Sequence, residues 1–359
     1  MSRARPGRWR YAATGAVGEV TTGRDGRCVI VTTVALSSAL HRAQGSVRVQ
    51  RQLSKLRRLR GRMIDVPLRQ VEQARRRLAT EDVDVLLLGD SSTLCWSLRD
   101  TDRTRLPELL GQRLGNVVNL AGPGFGSSIY AEATRILATA EQRPKAVVFT
   151  LALRTSTATH IVADPLTGYH RSLAAMAQVT NARRRIRYVG RGGSFATDEE
   201  RDAFLAQPVE SRWSGRRTVG WYRQQLVGTG LPPWPIELER LRFDYFYGEQ
   251  LRPDNPGLES LTTLARRLEQ YGVPVVGVWT RPPMQRGEMH FPGEFEAHVR
   301  AHKVLQDQAL ARGSSAIGPM LDIHLEDEDF EDSCNATEHY AYSGRVKVAD
   351  AIADAVRSR

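Results

Sequence analysis

With 359 residues, 41% of them hydrophobic and 25% charged, the chain has the composition of a globular protein whose core is large enough to stand without disulfide or metal staples. Three widely spaced cysteines, Cys28, Cys95 and Cys334, exclude a disulfide framework and offer no metal-ligand spacing. The formal net charge of +11 is uneven, and most of the excess sits in one stretch near the N-terminus.

Residues 1–45 read as an irregular segment. Their most apolar piece, 28–40, is too short to cross a bilayer and is followed by no small-residue cleavage site. No transmembrane span is expected, and the chain reads as soluble and cytoplasmic. Residues 46–80 read as a basic helical extension. Between Ser46 and Leu78, eleven Arg or Lys residues stand against Asp65 and Glu72, while Val49, Leu53, Leu56 and Leu59 recur at helical spacing. Such a helix suits contact with an anionic surface, although a solvated Arg-rich face is the plainer reading. No aromatic residue is interleaved to stack on bases, so nucleic acid is not an expected partner.

An α/β domain is predicted over 81–356. The run Val83 to Leu88 has strand length and stops at Gly89-Asp90-Ser91-Ser92. A buried parallel strand reads as such a continuous apolar run, and ligands of α/β sheets meet the carboxyl ends of strands. Gly89 permits a sharp turn that puts Ser91 at the mouth of the sheet; capping the next helix is the plainer role for Asp90, Ser91 or Ser92. Next come a helix over 106–114, a strand over 116–120, and a turn holding Gly122, Gly124 and Gly126. That turn lacks the spacing and the Lys of a phosphate-binding loop. A helix over 129–141 and a strand over 144–153 follow, the strand closed by Arg154-Thr155-Ser156. Residues 157–257 lose this rhythm and read as an inserted lobe. Regular structure returns with a helix over 258–271, a strand over 273–280, a helix over 293–312, an extended piece over 316–321, an acidic loop over 326–332 and a terminal helix over 343–356. Alternating strands and helices argue for a mostly parallel sheet covered on both faces.

The loops at the strand ends carry a resemblance. Val85-Leu86-Leu87-Leu88-Gly89-Asp90-Ser91, Asn119-Leu120-Ala121-Gly122-Pro123-Gly124 and Glu338-His339-Tyr340-Ala341-Tyr342-Ser343-Gly344 look like three blocks of the SGNH (GDSL-type) hydrolase superfamily. The resemblance covers about residues 82–156 and 258–356. It implies a flavodoxin-like three-layer α/β/α sandwich, with Ser91 as nucleophile, His339 as its base, and Gly124, or else Gly122 or Gly126, supplying an oxyanion N–H. Two positions depart from the pattern. Arg154 stands where the family has an oxyanion-binding Asn, and an Arg there suits an oxyanion or an anionic substrate. Ala336 stands where the family has the Asp that orients the His, which leaves Glu338, Asp332 or another carboxylate of the acidic loop for that role. The implied activity is Ser–His cleavage or transfer of a small acyl ester, such as O-acetyl on a carbohydrate, with no cofactor or metal. The alternatives are a catalytically impaired binding protein of the same fold, and attachment to an anionic membrane or nucleic acid through residues 46–78. The remaining histidines show no paired-ligand spacing.

Overall fold

The computed structural model describes residues 20–22, 28–30, 70–94, 100–122, 125–157, 198–226, 234–331, 333 and 336–359. The chain divides into two units, residues 1–66 and 67–359. In the first, β1 (Val20–Thr22) pairs antiparallel with β2 (Cys28–Ile30), in the segment expected to be irregular. Residues 46–69 of the basic extension, the segment 158–197, and the candidate residues Gly124 and Asp332 lie outside the described residues.

The second unit opens with α1 (residues 70–80), the end of the predicted basic extension. Val71, Ala74 and Leu78, at helical spacing, are buried in the main core, whereas Arg75 and Arg76 face solvent. Gln70 and Arg77 also tie α1 to the chain around the next strands: Gln70 Nε2 donates to the Ala121 carbonyl at 2.8 Å and Arg77 Nη1 to the Val117 carbonyl at 3.1 Å. This turn of the extension is therefore part of the α/β unit.

Five strands make its parallel sheet. They are β3 (Val85–Leu88), β4 (Val117–Asn119), β5 (Ala146–Ala152), β8 (Val275–Thr280) and β9 (Leu321–Asp322), in the spatial order β4-β3-β5-β8-β9. Every residue of β3, β5 and β8 is buried, as a strand covered on both faces requires. Alternate side chains go to opposite layers: Leu86, Leu88, Val147, Phe149, Val275 and Trp279 to one, Val85, Leu87, Val148, Val276 and Val278 to the other. Numbered by appearance in the chain, the order is 2-1-3-4-5, the doubly wound arrangement whose switch point falls between β3 and β5.

Between β3 and β5 lie α2 (Ser91–Leu94), α3 (Leu106–Leu114) and α4 (Ser127–Ala133). α4 is shorter than its apolar pattern predicts and continues as a 3-10 turn, Thr134–Thr139. The Thr134 hydroxyl donates to the Ala131 carbonyl at 2.9 Å, a local bond that competes with the α-helical ladder.

The inserted region has a small core of its own. α5 (Asp198–Leu205), β6 (Pro208–Ser211), β7 (Gly215–Thr218) and α6 (Val219–Leu226) enclose Phe204, Val209, Val219 and Tyr222. α7 (Ile236–Tyr247) differs, because its Phe243 and Tyr247 belong to the main core.

α8 (Pro256–Tyr271) is specified at both ends: the Asn255 side chain accepts from the Gly257 N–H at 2.8 Å, Pro256 occupies the first turn, and Gly272 closes it at φ 61°. Its Leu258, Leu261, Leu264 and Leu268 are fully buried, each contributing roughly 1.5–3 kcal/mol. The helix predicted over 293–312 is α10 (Phe295–Gly313), and an unpredicted one, α9 (Met284–His290), precedes it directly after Pro282-Pro283. α11 (Tyr342–Arg357) ends the chain and packs with α3. Among the described residues no helix is long and apolar enough to cross a membrane, and no group of three or more His, Cys, Asp or Glu could hold a metal ion.

Candidate active site

β3 delivers its carboxyl end to the switch point, and the turn after it is built to expose one hydroxyl. A Cβ on Gly89 would stand 2.5 Å from the Thr93 side chain and 3.0 Å from the Ala121 side chain, so the chain passes here only as glycine. Asp90 caps α2. Its Oδ1 accepts from the Ser92 N–H at 2.8 Å and the Ser92 hydroxyl at 2.6 Å, while its carbonyl accepts from the Thr93 hydroxyl at 2.8 Å. Capping is thus done by Asp90, and the side chain of Ser91 is left for another partner.

That partner is His339, 248 residues away: its Nε2 lies 3.1 Å from Ser91 Oγ, within reach of the hydroxyl proton. The histidine sits on an extended segment held by the Phe330–Tyr340 bridge and by the Glu331 N–H, which donates to the His339 carbonyl at 2.7 Å. The Glu331 carboxylate faces the other ring nitrogen, with Oε2 3.7 Å from Nδ1. That is ion-pair range rather than a hydrogen bond, and catalytic contacts often tighten only when substrate is bound. Burial, aided by the positive charge of Arg154, pulls the His339 pKa down to about 3. At neutral pH the ring is uncharged and able to accept a proton. If Ser91 and His339 act as nucleophile and base, replacing Glu331 by Gln is expected to lower kcat about 10- to 100-fold with KM little changed, since an orienting carboxylate acts on the charged imidazolium of the transition state; steady-state kinetics on an activated acyl ester check this.

The other expected residues fall differently. Glu338 does not orient the imidazole. It is fully buried and turned away from His339, with Arg154 Nη2 2.9 Å from its Oε2 and the Tyr247 hydroxyl donating to its Oε1 at 3.0 Å. Burial raises the Glu338 carboxyl, and Arg154 opposes that rise. Arg154 lies in the 3-10 turn Leu153–Ser156 that ends β5, and its side chain is only 10% exposed, so it enters the site as the partner of a buried carboxylate. The Gly122 N–H donates to the Gly89 carbonyl at 3.0 Å, extending the β3–β4 pairing, which removes it as an oxyanion donor. Gly122 is needed for packing instead: a Cβ there would meet the Phe125 ring at 2.4 Å.

Two residues of the site were not singled out from the sequence. Glu331 is one of six acids in the loop 326–332, and nothing local distinguishes it from its neighbours. Tyr247 lies in the region without strand–helix rhythm; the aromatic cluster Phe243, Tyr245, Phe246 and Tyr247 was its only signal. Around the dyad, Asp90, Arg154 and Glu338 are all buried polar groups, and Tyr130, Tyr247 and Tyr340 have their hydroxyl pKa values pushed up by burial and by these carboxylates. No family model matches the chain, and neither a curated protein nor a solved structure gives a significant match.

Proposed function

We propose that the chain is a Ser–His hydrolase or acyltransferase of SGNH type, acting on a small acyl ester such as an O-acetyl group on a carbohydrate. The observation that carries this reading is the 3.1 Å approach of Ser91 Oγ to His339 Nε2 at the switch point of a parallel sheet. His339 takes the Ser91 proton as Oγ attacks the ester carbonyl, and Glu331 steadies the imidazolium that forms. The imidazolium then protonates the departing alkoxide. Water, or an acceptor hydroxyl, is deprotonated in turn and releases the acyl group. In this reading the Ser91 N–H, which has no acceptor among the described residues, donates to the developing oxyanion, and each such donor is worth about 3 kcal/mol.

One observation favours a second reading, a binding protein that keeps the fold with weak catalysis. Arg154 occupies the Asn position of the family pattern and is engaged by Glu338, so that donor is not offered to an oxyanion as an Asn amide would be. A fluorophosphonate probe together with p-nitrophenyl acetate separates the two. Labelling and turnover by the wild type, both lost in Ser91→Ala, are expected. Labelling that persists in Ser91→Ala, or none in any form, rejects the hydrolase.

A further inference from the structure

The carboxylate of Glu338 is the side chain next to the proposed base, yet it is committed to two partners from other parts of the fold. Arg154 arrives from the end of β5 and lies 2.9 Å away; Tyr247 arrives from the last residue of α7 and donates at 3.0 Å. The same tyrosine hydroxyl is 2.9 Å from the carbonyl of Ala336, a buried residue held at φ 53°, in the left-handed region that costs an L side chain strain. Phe246, one residue earlier on α7, lies under the guanidinium of Arg154, 5.2 Å from ring centroid to Cζ. The one proton of the Tyr247 hydroxyl is shared between these two acceptors, and Arg154 holds Glu338 besides, so the segment is held three residues and one residue before the ring that faces Ser91.

A buried ion pair is a poor device for stability, because apolar residues of similar volume usually serve as well or better. What this one fixes is direction. In extended backbone successive side chains point to opposite sides, so drawing Glu338 inward toward Arg154 turns His339 outward toward Ser91. We propose that Arg154, Glu338 and Tyr247 form a clamp that positions His339 against Ser91. The clamp rests on the Ser91–His339 reading given above, and its three members are positioning residues that act through the imidazole.

Two variants test it. Tyr247→Phe removes one hydroxyl and keeps the ring. Arg154→Met combined with Glu338→Gln removes both charges together, so that neither is left buried alone. The time course of Ser91 labelling by a fluorophosphonate gives a saturating rate and a half-saturation concentration. The saturating rate is expected to fall about 10-fold in Tyr247→Phe and about 100-fold in the double variant, as misplacement of a catalytic group by an ångström does. The half-saturation concentration and the circular dichroism stay as in the wild type. Tyr247→Phe keeps both charges, so a ring that leaves its buried place in that variant, followed through its Cε1–H resonance, titrates at higher pH because less burial opposes its charge. A merely structural role leaves that titration where it was. Wild-type labelling rates in the folded variants, a loss confined to the half-saturation concentration, or an unmoved titration in Tyr247→Phe overturns the clamp. Tyr247→Phe keeps the labelling arm decisive if the double variant does not fold. The titration needs no turnover: a moved titration in a protein whose Ser91 is never labelled rejects the hydrolase and supports the clamp.

Discussion

Replacing His339 by alanine is expected to slow acyl turnover about 10⁴-fold or more, because the Ser91 hydroxyl then has no base at hydrogen-bond distance. The pH profile of the wild type should carry the signature of the same residue. The folded protein holds the His339 pKa at about 3, below its ordinary value of about 6.5. The ring therefore stays neutral, and competent as a base, down to about pH 4, where an ordinary histidine would already be charged. Hydrolysis of p-nitrophenyl acetate by the wild type should be nearly flat between pH 7 and 5 once the spontaneous rate is subtracted, with its acid limb near pH 3–4. An acid limb near 6.5 would mean that the base is solvated and not the buried ring seen here. The arrangement has a cost, since a weak base gives less driving force for proton transfer. Glu331, 3.7 Å from Nδ1, is the group able to raise the basicity of the ring once substrate excludes water.

Some of this site was legible in the sequence and some was not, for definite reasons. The Gly89-Asp90-Ser91 turn at the end of β3 was legible because a fully buried strand leaves a continuous apolar run and because the clash at Gly89 admits no other residue. His339 was legible through its block before the terminal helix, although its contact with Ser91 depends on the whole strand order. The carboxylate facing the imidazole was narrowed only to Glu338, Asp332 or another acid of the loop 326–332. Glu338 is adjacent to His339 in sequence, and in extended backbone adjacency places two side chains on opposite sides. Glu331 is brought beside the ring by the Phe330–Tyr340 bridge, a pairing with no local signature. The sequence could not show that the Gly122 N–H bonds to the Gly89 carbonyl or that Arg154 pairs with Glu338, since both partners are set by tertiary neighbours. Helix boundaries slipped where side chains bond to nearby backbone, as Thr134 does at the end of α4.

Acidification is expected to weaken the fold through a histidine outside the site. His302, on α10, is 4% exposed; its Nε2 accepts from the Leu251 N–H at 3.1 Å, and its Nδ1 has no hydrogen-bond partner among the described residues. Burial, with the neighbouring His298 adding to it, lowers the His302 pKa to about 3. The unfolded chain, with its histidine near 6.5, binds the proton that the folded chain refuses, so stability rises with pH between about 3 and 6.5 and falls as pH drops through that window. Protonation would also set two donors against each other, the new Nε2–H and the Leu251 N–H. The linkage amounts to roughly 2 kcal/mol lost at pH 5 relative to pH 7 from this one group. Urea unfolding at the two pH values measures it. His302→Gln, whose amide oxygen can accept from Leu251, should narrow the pH 7-to-5 difference by about that amount while other buried histidines, His298 among them, contribute equally in both proteins. An unchanged difference in His302→Gln would place the acid sensitivity elsewhere. Because Leu251 follows α7, whose Tyr247 carbonyl is itself 2.9 Å from His298 Nε2, loss of this bond on protonation loosens the segment that presents Tyr247 to Glu338.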